Sequence, residues 1–255
     1  QNIDMKICRV IFSTNRPEFL IPTLESHQKY IDFGDHEVYG IFIDDYPKDR
    51  NDNLIVDLAK KYGFNEAVLH TENLGLTPTW TELWNYLATQ DYDYIWHHED
   101  DVVFGEPIKI QTLIDFLEEN KEFCQINLKR NPWYDFELNK PAITWEDKFF
   151  REYRYDVRDD YFWTMASLYP SWVTKEPVKD VEGCNLAEYP VMKYFKEQHK
   201  MKMAILKNQD GSNLVEHIGV YSQGKRVLEG EPGWEGFKWF DPNKRYDSKT
   251  GILIV

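Results

Sequence analysis

Tyr92-Asp93-Tyr94-Ile95-Trp96-His97-His98-Glu99-Asp100-Asp101-Val102-Val103-Phe104 is the stretch on which the fold turns. An aromatic and aliphatic run that reads as a buried strand stops at three consecutive carboxylates, then resumes as an apolar triplet. Side chains alternate faces along an extended chain, so Glu99 and Asp101 point to one side and Asp100 to the other. Like charges at an apolar boundary repel one another and resist ionisation. A divalent cation removes that cost. Hard oxygen ligands suit Mg²⁺, Mn²⁺ or Ca²⁺, with water and phosphate oxygens filling the remaining positions. The competing reading is a solvated turn between strand and loop.

Upstream, Lys6 to Phe12 reads as a buried strand, followed by a loop from Ser13 to Phe19 and a helix through Leu24 to about Tyr30. Val38 to Ile43 is a second apolar strand that ends at Asp44-Asp45. Asn53 to Tyr62 carries apolar residues at helical spacing, with Gly63 as its stop. Val68 to His70 is a short strand, Asn73-Leu74-Gly75-Leu76-Thr77 a loop, and Pro78 to Ala88 a helix. Strands alternating with helices imply right-handed crossovers and a mainly parallel sheet. Ligands of such sheets sit outside the carboxyl ends of the strands. Asn15-Arg16, Asp44-Asp45, Asn73 to Thr77 and Glu99 to Asp101 each follow a predicted strand and therefore converge on one crevice.

Downstream the pattern changes. Ile108 to Glu119 is an amphipathic helix, Gln125 to Leu128 a strand, and the segment on to Asp160 is aromatic, charged and aperiodic, as expected of a specificity loop. Tyr161 to Leu168 returns as a strand, a helix runs from about Glu188 to His199, and Ile205-Leu206 begins another short strand. The expected organisation is a first half over residues 5–104, a second half of the same compact domain over 105–229, and a tail over 230–255.

Composition narrows the classes. A net charge of −14 weighs against a broad phosphate-tracking surface. Cys8, Cys124 and Cys184 have no metal-like spacing and imply no disulfide framework, so a reduced, cytoplasmic setting is the simplest expectation. There is no apolar run of bilayer length and no signal-peptide pattern, hence no membrane partner is expected. Trp80, Trp84, Trp163 and Trp172 read as core fillers before sugar platforms.

Taken in order, the motifs resemble those of the GT-A nucleotide-sugar glycosyltransferases, especially family-2-like members. Asn15-Arg16-Pro17 matches the loop after the first strand, Asp44-Asp45 the acids after the second, Asn73-Leu74-Gly75 the loop before a helix, and Glu99-Asp100-Asp101 the acidic metal motif. His217-Ile218-Gly219 is similar to a C-terminal metal-binding histidine segment. The family's acceptor-side Glu-Asp pair is missing as such, and Ala187-Glu188-Tyr189 is the nearest match. The resemblance implies an α/β fold of the GT-A, Rossmann-like type: a mainly parallel sheet flanked by helices, with mixed strands on the acceptor side.

It also implies a UDP-sugar donor, a Mn²⁺ or Mg²⁺ ion and an acceptor hydroxyl. Asp101 is the expected direct metal ligand and His217 a second. Glu99 would hold a metal-bound water or the ribose, and Asp100 would shape the site. Asp44 would bind uracil or ribose, while Asp45 does the same or caps a turn. Arg16 would pair with a phosphate or with an acid of the cluster. Asn15, Asn73 and Gly75 complete the donor loops. Lys225 and Arg226 either close over the diphosphate or stay solvated. An inverting reaction needs a general base, for which Glu188 at a helix start is the first candidate and Glu182 the second.

Two other classes compete: a nucleotidyltransferase, which lacks support because no early Gly-rich phosphate loop with Lys is present, and a Ca²⁺-dependent sugar-binding module, which the crossover pattern opposes. The acceptor is a glycan, a protein, a small molecule or a hydroxylated DNA base. The last would need the basic cluster of Lys129, Arg130, Arg151, Arg154 and Arg158.

Overall fold

The computed structural model describes residues 4–131, 143–145, 153–158, 162, 165–176, 188–208, 210–219, 245–246 and 253–254. β1 (Lys6–Ser13), α1 (Pro17–Tyr30), β2 (Ile31–Asp32), β3 (Glu37–Asp44), α2 (Asp52–Lys61), β4 (Glu66–Leu69), α3 (Leu76–Leu87) and β5 (Tyr94–Glu99) follow one another in the first part of the chain. After them come β6 (Val102–Phe104), β7 (Ile108–Lys109), α4 (Ile110–Glu119), β8 (Phe123–Leu128), β9 (Arg130–Asn131), β10 (Ile143–Trp145), β11 (Tyr153–Arg158), β12 (Ala166–Pro170), α5 (Glu188–Tyr194), β13 (Lys202–Asn208) and β14 (Val215–His217).

One nine-stranded sheet, ordered β10-β11-β13-β8-β12-β5-β1-β3-β4, unites strands from both parts of the chain. β4, β3, β1 and β5 are mutually parallel. β12 enters antiparallel between β5 and β8, and it makes the second half of the sheet mixed. A smaller sheet, β6-β14-β9, brings the segment after Leu214 back beside the acidic turn.

β1 is central, and every residue after Lys6 is buried. Its side chains alternate: Cys8, Val10 and Phe12 pack with Trp80, Trp84 and Phe195 on one face, while Ile11 packs with Leu24, Phe42 and Ile55 on the other. Trp96 and Phe104 anchor a third cluster with Leu113, Phe116 and Ile126. Trp80 and Trp84 are therefore core residues, whereas Trp172 is 37% exposed and Trp163 lies outside the described residues.

Element boundaries differ from the sequence reading where proline is involved. α3 starts two residues before Pro78, because a proline in the first helical turn forfeits an N–H that would have no partner anyway. The strand expected over Tyr161–Leu168 is described as Ala166–Pro170. Pro170 is its last residue, where a missing donor costs no ladder bond that matters. Ile205-Leu206 lies inside a full strand, β13, because burial on both sides extends the pairing.

Two measurements probe this packing. A Cβ at Gly40 on β3 would sit 2.9 Å from the Phe64 Cα, backbone that cannot step aside. Gly40→Ala is expected to destabilise the chain by about 1–3 kcal/mol in urea unfolding. His97 is fully buried, with Nδ1 3.3 Å from the Tyr169 hydroxyl, and burial pulls its pKa from 6.5 down to about 3. Below pH 6.5 the unfolded chain binds a proton there that the folded chain refuses, so acid penalises folding. The stability of the wild type relative to His97→Gln should fall by about 1.4 kcal/mol per pH unit between those two values, read from urea unfolding at stepped pH.

Candidate functional site

Register alone brings the polar clusters together. Ser13 is paired with Asp44, Phe12 with Glu99, and Asp44 with Leu69, so the carboxyl ends of four parallel strands form one edge. The loops that leave this edge are tied to one another through carboxylates.

The loop after β1 is shaped around Asp100. The Ser13 hydroxyl and the Thr14 amide donate to Asp100 Oδ2 at 3.1 and 3.0 Å. Asn15 adopts a left-handed backbone, φ 54°, held by its amide on Asp44 Oδ2 at 2.7 Å and its side chain on the Lys48 carbonyl at 2.8 Å. That turn aims Arg16 into the acid cluster. Its Nη2 pairs with Asp100 Oδ1 and lies 2.9 Å from Asp101 Oδ2, with the residue only 4% exposed. Thr23 of α1 donates to the Asp100 carbonyl at 2.8 Å, which locks the helix to the same turn.

The two aspartates after β3 act on different loops. Asp44 is fully buried: Oδ2 takes the Asn15 amide, and Oδ1 takes the Tyr46 amide at 3.1 Å and Arg50 at 3.0 Å. Its carboxylate is thus matched by protein groups on both oxygens. Asp45 accepts from the Leu74 and Gly75 amides at 3.0 and 2.7 Å and lies 2.7 Å from His70 Nδ1. Asn73 also accepts from the Gly75 amide, at 3.1 Å. Gly75, at φ 84°, makes the entry into α3 possible, since a side chain would be strained there.

The acidic turn itself, which lies past the end of β5, divides its contacts, although Arg16 reaches both Asp100 and Asp101. Asp100 turns to the Arg16 side, while Glu99, Asp101 and His217 each offer a ligand atom within 4.8 Å of the others. His217 arrives on β14 opposite Val102, and its Nε2 lies 3.2 Å from Asp101 Oδ2. The Ile218 amide donates to the Asp101 carbonyl at 2.9 Å, and Gly219 packs so closely on the Asp101 side chain that any Cβ would overlap it.

Asp101 Oδ1 is buried without a hydrogen-bond partner. A buried carboxylate oxygen left unmatched is costly, and a cation is the ligand that satisfies it. With two carboxylates and an imidazole, the donor set fits Mn²⁺ or Mg²⁺.

Electrostatics separates the acids. Burial pushes the Asp101 carboxyl upward, but Arg16 and His217 outweigh it and hold the group below the usual carboxylate range. Burial, then Asp101 and Glu188, raise Glu99 well above that range. Glu188, at the first turn of α5 and half-buried, is therefore near enough to Glu99 for its charge to be felt.

Glu182, Lys225 and Arg226 lie outside the described residues. The basic cluster considered for DNA is different from its sequence reading, because Arg130 and Arg158 are buried at 2% and 3% exposure; Arg151 and the Arg154 side chain lie outside the described part. Sequence reasoning missed Arg50, His70 and Gly219. Arg50 and His70 carry no motif, and Gly219 stands out in the sequence only as a neighbour of His217.

No family model matches this chain, and no curated protein sequence matches it. Solved structures do. S. aureus TarS 1-349 in complex with UDP aligns at a TM-score of 0.55 and 13% identity, over 88% of this chain and 65% of that one. The mannosyltransferase PcManGT from Pyrobaculum calidifontis, in complex with GDP-Man and Mn²⁺, aligns at 0.57 and 8% identity, over 88% of this chain and 61% of that one. The chain thus spans slightly less than two thirds of the length of these neighbours. Among the described residues no helix is long and apolar enough to cross a membrane. With its parallel half-sheet, antiparallel β12 and edge of gathered carboxylates, this chain has the fold of the GT-A glycosyltransferases.

Proposed function

We propose that this chain is a metal-dependent glycosyltransferase that moves a sugar from a UDP-sugar to an acceptor hydroxyl with inversion. The observation that carries this reading is the buried, unpartnered Asp101 Oδ1 beside Glu99 and His217, at the carboxyl edge of a sheet of this fold. A Mn²⁺ or Mg²⁺ ion held by Asp101, Glu99 and His217 would supply positive charge to the departing diphosphate. That UDP accompanies TarS and that GDP-Man and Mn²⁺ accompany PcManGT supports a nucleotide-sugar donor with a divalent ion.

The chain's own residues divide the remaining work. The Asn73–Gly75 loop, braced by Asp45, borders the place for the nucleoside, with residues 5–104 as the donor half. Glu188 stands on the acceptor half, over residues 105–229, and takes the proton of the acceptor hydroxyl. As that oxygen bonds to the anomeric carbon, the bond from the carbon to the diphosphate breaks on the opposite face. The position of Glu188 at a helix start favours the carboxylate form, and the influence of its charge on Glu99 supports this role near the acid cluster. Glu182 remains the second candidate base, and Lys225 with Arg226 the candidates to cover the diphosphate. The burial of Arg130 and Arg158 weighs against a DNA acceptor and favours a glycan, protein or small-molecule hydroxyl.

Calorimetry with UDP and a panel of UDP-sugars, with and without Mn²⁺, tests the donor site. Metal-dependent binding that Asp101→Asn abolishes is expected; no nucleotide binding under either condition would sink the reading. Glu188→Gln separates catalysis from binding. It should keep the Kd for UDP within about twofold and lower the transfer rate by about 10²–10⁴, measured as UDP release in the presence of acceptor.

A further inference from the structure

Arg16 is fixed in place from both sides. Its carbonyl accepts the Phe19 and Leu20 amides that begin α1, at 3.0 and 2.9 Å, while Asn15 before it is locked in a left-handed turn by Asp44. The guanidinium is thereby presented to Asp100 and to Asp101 Oδ2, an oxygen of the same carboxylate whose Oδ1 is buried without a hydrogen-bond partner. We propose that Arg16 is a built-in counter-ion that weakens the hold of the acid cluster on a free divalent cation, so that the cation is retained tightly only together with a nucleoside diphosphate. This rests on the metal reading above.

The sign follows from charge. A fixed positive charge on one oxygen of Asp101 repels a cation at the other, and the surroundings are buried enough for the repulsion to exceed thermal energy several-fold. A diphosphate restores the balance because it brings negative charge to the same edge. Were Arg16 only a positioning residue that keeps the acids in place, its loss would weaken the metal instead. The two roles therefore predict opposite directions.

The experiment uses Mn²⁺ alone as the probe, titrated by calorimetry into the full chain, as wild type, Arg16→Gln and Arg16→Lys, each checked for folding by thermal melting. Arg16→Gln, neutral but still able to donate to Asp100, should bind Mn²⁺ on the order of tenfold tighter than wild type. Arg16→Lys keeps the charge and should stay near wild type. Equal or weaker Mn²⁺ binding by Arg16→Gln overturns the proposal. The wild type supplies a second measurement that depends on no substitution: UDP should tighten Mn²⁺ by about tenfold or more. Mn²⁺ bound equally well with and without UDP overturns the counter-ion role while leaving the metal site intact. If UDP binds but Mn²⁺ never does, the counter-ion role and the metal dependence fail together and the donor reading survives.

Discussion

Three carboxylates turned inward at the edge of a sheet are the constraint on which this structure depends. Removing such groups from water is expensive, and the cost is met only when each is paired or fully hydrogen-bonded. Asp100 is met by Arg16, the Ser13 hydroxyl and the Thr14 amide. Those contacts require the chain after β1 to double back at once, which places Asn15 in a left-handed turn. Asn15 in turn needs Asp44, and Asp44 needs Arg50 to stay matched inside the protein. One local charge problem is thus solved by a relay that reaches across three strands. Taking one partner from a buried pair of this kind typically costs about 3–5 kcal/mol, because the other charge is left behind.

The same sheet edge explains why the site lies where it does. β1 has β3 on one side and β5 on the other, so the crossovers α1 and α3 leave in opposite directions and a crevice opens between them. Antiparallel β12 then closes the other flank of β5, with the Glu99 amide bonded to the Met165 carbonyl. The acidic turn is held between a parallel half that positions loops by crossover and a mixed half that supplies α5 and its Glu188. β14, from far along the chain, adds His217 beside β6 and completes the cluster.

The parallel half was legible because its signals are local. Apolar runs of strand length, helical spacing and the rule for strand ends were sufficient to place Asn15, Asp45, Gly75 and Asp101 on one edge. The alternation expected of Glu99, Asp100 and Asp101 does not carry over as such, because the chain leaves β5 after Glu99 and Arg16 meets both aspartates in the turn. What sequence could not show was which polar group answers which. Arg50 reaches back to Asp44 within one loop, and His70 pairs with Asp45 across two strands, both without a motif. His97 and His98 are fully buried, as the reading of their run as a buried strand expects, since a central strand buries both faces. Arg130 and Arg158 misled in the opposite direction: basic residues in an aperiodic stretch suggest a surface patch, yet their strands carry them inside.

The acids of the edge also divide their charge in a way that fits distinct roles. Asp101 touches both Arg16 and His217, which together overcome burial and keep it ionised. Glu99 points to the same side but has Asp101 and Glu188 as electrostatic neighbours, and burial adds to their repulsion, so its carboxyl rises. Proximity of like acids therefore does not blur them into one site. Asp101, which has both Arg16 and His217 against it, stays an anion, and Glu99, which faces other acids, becomes the group whose charge depends on what binds. A cation arriving at Glu99, Asp101 and His217 would relieve the Glu99–Asp101–Glu188 repulsion most, which ties occupancy of that cluster to the charge felt by Glu188.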